Sequence, residues 1–179
     1  KRREFYRVML DDSDRLLMTI EQVLRTGRIG STGKIQHLAP IQLDAMLREC
    51  IARVRTLHNL PPEAITSDNG HAVTISGDPE EVRAALSNLI DNAVKYSGPL
   101  VKVVVQASKV EEGFVQIRVR DQGVGIPKNE LKRIFRRFYR VPGQLATRVK
   151  GTGLGLFIVR SVAKRHGGRA WAESEGPGR

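Results

Sequence analysis

The sequence predicts an α/β fold: a two-layer sandwich in which a mixed sheet carries helices on one face, behind a long N-terminal helix. Three observations predict it. Phe114-Val115-Gln116-Ile117-Arg118-Val119-Arg120 alternates apolar with polar, the period of a strand. Ala84, Leu86, Leu89, Ile90, Ala93 and Val94 recur at helical spacing. Met9, Leu16 and Val23 lie seven apart, as do Leu10, Leu17 and Leu24, which marks a sustained helical seam.

Taken in order, residues 1–26 read as one helix, with Ile20 between the two heptad rows and Asp11, Asp12, Asp14, Arg15 and Glu21 around them. Such a seam suits a bundle or coiled coil; an amphipathic helix folded back on its own domain is the other reading. Gly27-Arg28-Ile29-Gly30-Ser31-Thr32-Gly33 reads as a linker. A strand near 35–41, a helix from Asp44 to His58 and short strands near 64–66 and 72–76 follow. Asp78-Pro79-Glu80-Glu81 opens a helix over 79–96, with Asp78 as cap and Pro79 in the first turn. Strands near 100–108 and 114–121 form a hairpin around Glu111-Glu112-Gly113. A short helix near Ile134–Arg140, a helix over Leu154–His166 and a strand near 169–174 complete the single sheet.

The 179 residues hold one domain and a small appendage, and 40% hydrophobic content supports an ordinary core. Cys50 is the only cysteine, so no intramolecular disulfide exists. Its neighbours Met46, Leu47, Ile51 and Val54 make it a packing residue, which fits a reducing compartment. No run of eighteen apolar residues and no signal peptide is present. The net charge of +11 is concentrated: residues 128–169 hold twelve Lys or Arg against one acid, Glu130, and the rest is balanced. Such a face suits a polyphosphate or steers an acidic partner. Nucleic acid is the competing ligand, but aromatics are only 5% and no nucleic-acid motif occurs, so none is expected.

Three boxes carry the chemistry. Asn88 and Asn92 lie one helical turn apart, with Lys95 and Tyr96 extending that side. Asparagine is a poor helix-interior residue, so two in register need a reason. Amide oxygens are hard neutral donors suited to Mg²⁺; caps for nearby loops are the plainer alternative. Asp121 closes its strand, and Gly123 and Gly125 let the backbone turn tightly against a flat ligand. A carboxylate there can accept from an exocyclic amine such as adenine N6, or it simply ends the strand in a turn. Gly151-Thr152-Gly153-Leu154-Gly155-Leu156 precedes a helix, whose free N–H groups favour phosphate. This run has no Gly-Lys-Ser/Thr ending and follows no strand, so it is neither a P-loop nor a dinucleotide fingerprint.

In this order the boxes resemble the catalytic ATP-binding domain of sensor histidine kinases, of the wider family that includes type II topoisomerase and mismatch-repair ATPases. Asn88 to Tyr96 matches the N box, Asp121 to Ile126 the G1 box, Ile134 to Arg140 the F box and Gly151 to Leu156 the G2 box. The match covers residues 34–175. The resemblance implies a Bergerat-type fold, with ATP and Mg²⁺ as ligands. Asn92 would ligate Mg²⁺, Asn88 would support it or the phosphates, and Lys95 would reach phosphate. Tyr96 would pack by the adenine, Asp121 would read its N6, and Gly123, Gly125 and Ile126 would shape the base pocket. Gly151, Thr152, Gly153, Leu154, Gly155 and Leu156 would let a lid around 140–150 and the following helix wrap the phosphates. Phe135 and Phe138 would anchor that lid, and Arg137, Arg140 and Lys150 are candidate γ-phosphate contacts. Water-splitting relatives carry glutamate where Asn88 stands. An amide cannot take a proton from water, so the resemblance implies transfer to a histidine and slow hydrolysis.

It further implies a homodimer in the full-length protein, a response-regulator receiver domain as partner, and residues 1–26 as the second helix of a dimerisation and phosphotransfer domain. The parent would be anchored in a bacterial inner membrane, with this portion cytoplasmic. The chain departs from the pattern in two places. His37, His58, His71 and His166 all lack the acidic and Arg neighbours of a phosphoacceptor, so the acceptor helix is expected before Lys1. The expected last strand after Arg179 is missing as well. A degenerate or serine-directed, anti-sigma-type regulator on the same fold is the alternative function.

Overall fold

The computed structural model describes residues 6, 35, 37–68, 73–110, 113–142, 149 and 151–176. Contacts divide the chain into two units, Lys1–Thr32 and Gly33–Arg179. In the first unit Tyr6 is helical; the rest of the predicted 1–26 helix and the 27–33 linker lie outside the described residues.

The second unit runs β1 (Ala39–Gln42), α1 (Leu43–Leu57), β2 (Ile65–Asp68), β3 (Thr74–Gly77), α2 (Pro79–Tyr96), β4 (Val103–Lys109), β5 (Val115–Asp121) and α3 (Gly155–Arg165). α1 buries Leu43, Met46, Leu47, Cys50, Ile51 and Val54, the stripe its sequence spells out. Asp44 in its first turn accepts from Val73 N–H at 2.9 Å, which fastens the helix start to the approach to β3. α2 begins as predicted: Asp78 accepts from Glu80 N–H and Glu81 N–H at 3.0 and 3.2 Å, with Pro79 at the first helical position. It buries Val82, Leu86, Ile90, Ala93 and Val94 against α1 and the sheet.

β2 and β4 are parallel, with Ile65 opposite Val103, and β4 and β5 form the antiparallel hairpin, with Ala107 opposite Ile117. Val103, Val105 and Ala107 point into the core, while Val104, Arg118 and Arg120 face solvent. The sheet is therefore mixed and covered by helices on one face, as the alternation required. Two expectations need correction. The strands form two sheets, not one: β1 pairs with β3, and β2-β4-β5 stand apart. Alternation tells which residues are extended; it does not say which strand they hydrogen-bond to. The segment 169–174 is also not a strand. Among the described residues no ladder joins it to β5, and its side chains pair locally instead. Arg169 lies over the Trp171 ring at 5.3 Å, and Trp171 Nε1 donates to Glu173 at 3.0 Å.

α3 buries Ile158, Val159 and Val162. His166, just past its end, fastens it to the start of α2. Asp78 N–H donates to His166 Nε2 at 3.0 Å, and Nδ1 lies 2.9 Å from Val162 O. The ring is thus the Nδ1–H tautomer, donating to one backbone group and accepting from another. Gly77 is small because this imidazole sits on it, 2.9 Å from where a Cβ would be. The expected short helix near Ile134 is a single 3₁₀ turn, Arg133–Phe135, since Arg136 is already extended. Most of the 140–150 lid lies outside the described residues.

Candidate nucleotide site

α2 is the spine of the site. Asn88 and Asn92 are half-buried on it, one turn apart, and Asn88 Nδ2 donates to Ala84 O at 2.8 Å. The glycine-rich run meets them at Gly155, the first residue of α3. A Cβ there would lie 3.0 Å from Asn88 Oδ1 and 3.1 Å from Asn92 Nδ2. Gly155 thus lets the start of α3, with its outward N–H groups, come down onto both amides.

The Asp121 turn meets the other end of α2. Val124 N–H donates to Tyr96 O at 3.1 Å, and Gly123 N–H donates to Asp121 Oδ1 at 2.9 Å. Any Cβ on Gly123 would overlap the Tyr96 carbonyl and the Asp121 carboxylate. Gly125 takes φ +70°, a conformation glycine adopts without strain. Ile126 N–H donates to Ser174 Oγ at 2.9 Å, which ties the C-terminal segment to this turn. Tyr96, Gly123, Gly125 and Ile126 are half-buried and Asp121 is exposed.

The stretch 134–140 meets the glycine run at Gly153. It has φ +73°, and its missing Cβ would lie 2.7 Å from the Phe138 carbonyl carbon. Phe135 is buried, but Phe138 is 65% exposed with φ +59°. The Phe135 ring is therefore inside the domain and the Phe138 ring outside it, while the Phe138 backbone packs on Gly153; the lid they were expected to anchor lies mostly outside the described residues. Glu130, buried and flanked by basic residues, holds this region together. It pairs with Arg133 at 2.9 Å and accepts from the Tyr139 hydroxyl, and that bond pushes the Tyr139 phenol above its ordinary value.

The remaining expected residues divide. Gly151 is exposed, and Thr152 and Leu156 are half-buried at the run. Leu154 is 1% exposed, so its side chain is core and only its backbone faces the run. Arg140 donates to Val149 O, and Arg137 stacks on the Phe157 ring at 4.5 Å. Lys150 lies outside the described residues. Lys95 Nζ sits 2.5 Å from Asp91 Oδ2, and His58 Nε2 lies 2.7 Å from Asp91 Oδ1. Sequence reasoning missed Ser174, Glu130 and this His58–Asp91–Lys95 cluster. The spacings of Asp91 to Lys95 and of Glu130 to Arg133 were legible; the partners of Ser174 and His58 are far apart in the chain.

The sequence profile of the family described as histidine kinase-, DNA gyrase B-, and HSP90-like ATPase matches residues 77–179. The sensor-like histidine kinase SenX3 of Mycolicibacterium smegmatis is 31% identical over 96% of this chain and 45% of its own length. The sensor protein QseC of Escherichia coli K12 is 36% identical over 86% of this chain and 33% of its own. Among solved structures, the mycobacterial sensor histidine kinase MprB matches with a TM-score of 0.62 and 30% identity, over 73% of this chain and 81% of that one. Full-length ShkA in complex with AMPPNP matches with a TM-score of 0.76 and 28% identity, over 93% of this chain and 34% of that one. The chain belongs to the histidine kinase-, DNA gyrase B- and HSP90-like ATPase family, as an ATP-binding domain of the sensor histidine kinase type. It spans less than half the length of these two curated relatives. Among the described residues no helix is long and apolar enough to cross a membrane.

Proposed function

We propose that this domain holds Mg-ATP between α2, the Asp121 turn and the glycine-rich run, and delivers its γ-phosphoryl group to a histidine. The observation that carries this is the convergence on one helix: Gly155 against Asn88 and Asn92, and Val124 N–H on Tyr96 O. Adenine would lie by Tyr96 and the Asp121 turn, with Gly125 and Ile126 beneath it. Gly123 N–H fixes one oxygen of Asp121, and the second is the acceptor we assign to the exocyclic amine. The phosphates would lie at the head of α3, where Gly151, Thr152 and Gly153 present backbone and the helix dipole is favourable. Lys95, Arg137, Arg140 and Lys150 would supply the balancing charge.

The amide pair fits a magnesium ion. Asn92 would donate to it, with Asn88 in support, and water and phosphate oxygens would complete its shell. Bound there, the metal neutralises phosphate charge. Asn88 carries no base for water, which supports transfer to a protein nucleophile over hydrolysis.

Such a domain would work with its own dimerisation and phosphotransfer helices, in a homodimer, and a response-regulator receiver domain would take the phosphoryl group onward. We place it on the cytoplasmic side of a membrane-anchored parent. The relatives, named sensor kinases, support this reading over the anti-sigma-type alternative.

Calorimetric titration with a non-hydrolysable ATP analogue, with and without Mg²⁺ and against a GTP analogue, tests the site. Metal-dependent, adenine-selective binding is expected, and Asn92→Ala should abolish the metal dependence. An unchanged Mg-ATP affinity in that variant refutes the role of Asn92. Transfer to an acceptor helix supplied in trans then tests the kinase step, and phosphoserine instead of phosphohistidine would favour the alternative.

A further inference from the structure

Asp91 stands one residue before Asn92, and its carboxylate is fully engaged. One oxygen lies 2.5 Å from Lys95 Nζ; the other lies 2.7 Å from His58 Nε2. A carboxylate only accepts, so His58 Nε2 carries a proton and donates. His58 caps the end of α1 and Asp91 lies in the second half of α2, so this bond ties the two helices. The Asp91 and Lys95 side chains are 22% and 34% exposed, so the pair is partly shielded from solvent. Lys95 is four residues from Asp91 and three from Asn92. On a helix both are its neighbours, so a single ammonium can serve either the carboxylate or a phosphate beside Asn92.

We propose that Asp91 is a positioning residue of the nucleotide site, a carboxylate held by His58 that competes with the triphosphate for Lys95. This rests on the reading that Lys95 meets phosphate. The competition makes the site selective for the metal-bound nucleotide. Metal-free triphosphate carries more negative charge and gains most from an unshared ammonium, while in Mg-ATP the metal has already met part of that demand. His58 acts on the same balance from the other side. Its donated proton drains charge from the carboxylate, so removing it leaves Asp91 a stronger partner for Lys95 and a stronger repeller of phosphate.

The test is titration of the whole chain with AMPPNP, with and without Mg²⁺. Asp91→Asn should tighten metal-free binding about fivefold, the size of a partly exposed ion pair, and Mg-bound binding about twofold or less. The preference for the metal complex then falls. His58→Ala should act in the opposite direction, weakening both about twofold, and should have no effect in the Asp91→Asn background. A role for the cluster in stability alone would move neither the metal ratio nor the sign. Asp91→Ser replaces Asp91→Asn if the latter does not fold. Unchanged affinity and metal ratio in the Asp91 variants overturn the proposal. So does an Asp91→Asn gain that persists in full in a Lys95→Ala background, since the carboxylate would then act by repulsion alone. Lys95→Ala separates the two readings. If that variant binds as tightly as wild type, the phosphate role of Lys95 fails; if it binds weakly and Asp91→Asn is silent, only the competition fails.

Discussion

The two ends of the site are built by different means. The Asp121–Ile126 turn is held by hydrogen bonds donated from its own N–H groups: Gly123 N–H to Asp121 Oδ1, Val124 N–H to Tyr96 O and Ile126 N–H to Ser174 Oγ. The Gly151–Leu156 run is held by contact with side chains and a neighbouring loop: Gly155 on the two asparagine amides and Gly153 on Phe138. Three directed hydrogen bonds, one of them to the end of α2, leave the first end little freedom. Amide side chains can turn, so the second end can adjust to what it holds. A flat base asks only for a rigid slot, whereas a triphosphate with its metal changes shape as it reacts.

Substitutions can break that contrast. The largest effect is expected for Gly123→Ala, whose methyl group must displace the Tyr96 carbonyl. Stability should fall by about 3 kcal/mol or more, read by urea denaturation with Trp171 fluorescence; a near-normal midpoint would show that the turn can yield. Asp121→Asn keeps the shape and reverses the donor pattern. It should cost about 2 kcal/mol in adenine recognition, seen as at least a tenfold loss of ATP-over-GTP preference, and equal preference in both proteins counts against the assignment. Gly155→Ala meets only amide groups at 3.0 and 3.1 Å. Its stability cost should be smaller, about 1 kcal/mol, with a clear loss of nucleotide affinity because the amides are pushed aside. A cost as large as that of Gly123→Ala would erase the distinction between the two ends. Ser174→Ala removes one acceptor and should cost about 1 kcal/mol or less, with adenine selectivity lowered slightly and metal dependence untouched.

Much of this was legible in the chain. α2 needed only an apolar stripe and the Asp78-Pro79 start, and it begins and ends where the spacing predicts. The hairpin of β4 and β5 followed from alternation around a turn. The strand over 169–174 failed because a short stretch can be extended without being a strand, and a hydrogen-bonding partner decides whether it is. The exposure of the Phe138 ring, at a positive φ, was likewise not legible, because backbone conformation at a single residue is set by its neighbours in space. The candidate site was legible as boxes but not as contacts.

Asn88, Asn92, Asp121 and the glycines are properties of the sequence itself, because their chemistry and spacing are local and need no partner to be recognised. The tertiary structure decided what each one touches. It set Gly155 on the amides, gave Ile126 its bond to Ser174, made His166 the fastening between α3 and α2, and brought His58 to Asp91 across thirty-three residues. Those choices depend on how helices and strands pack, and packing is decided by the burial of whole faces, which no short stretch of residues contains.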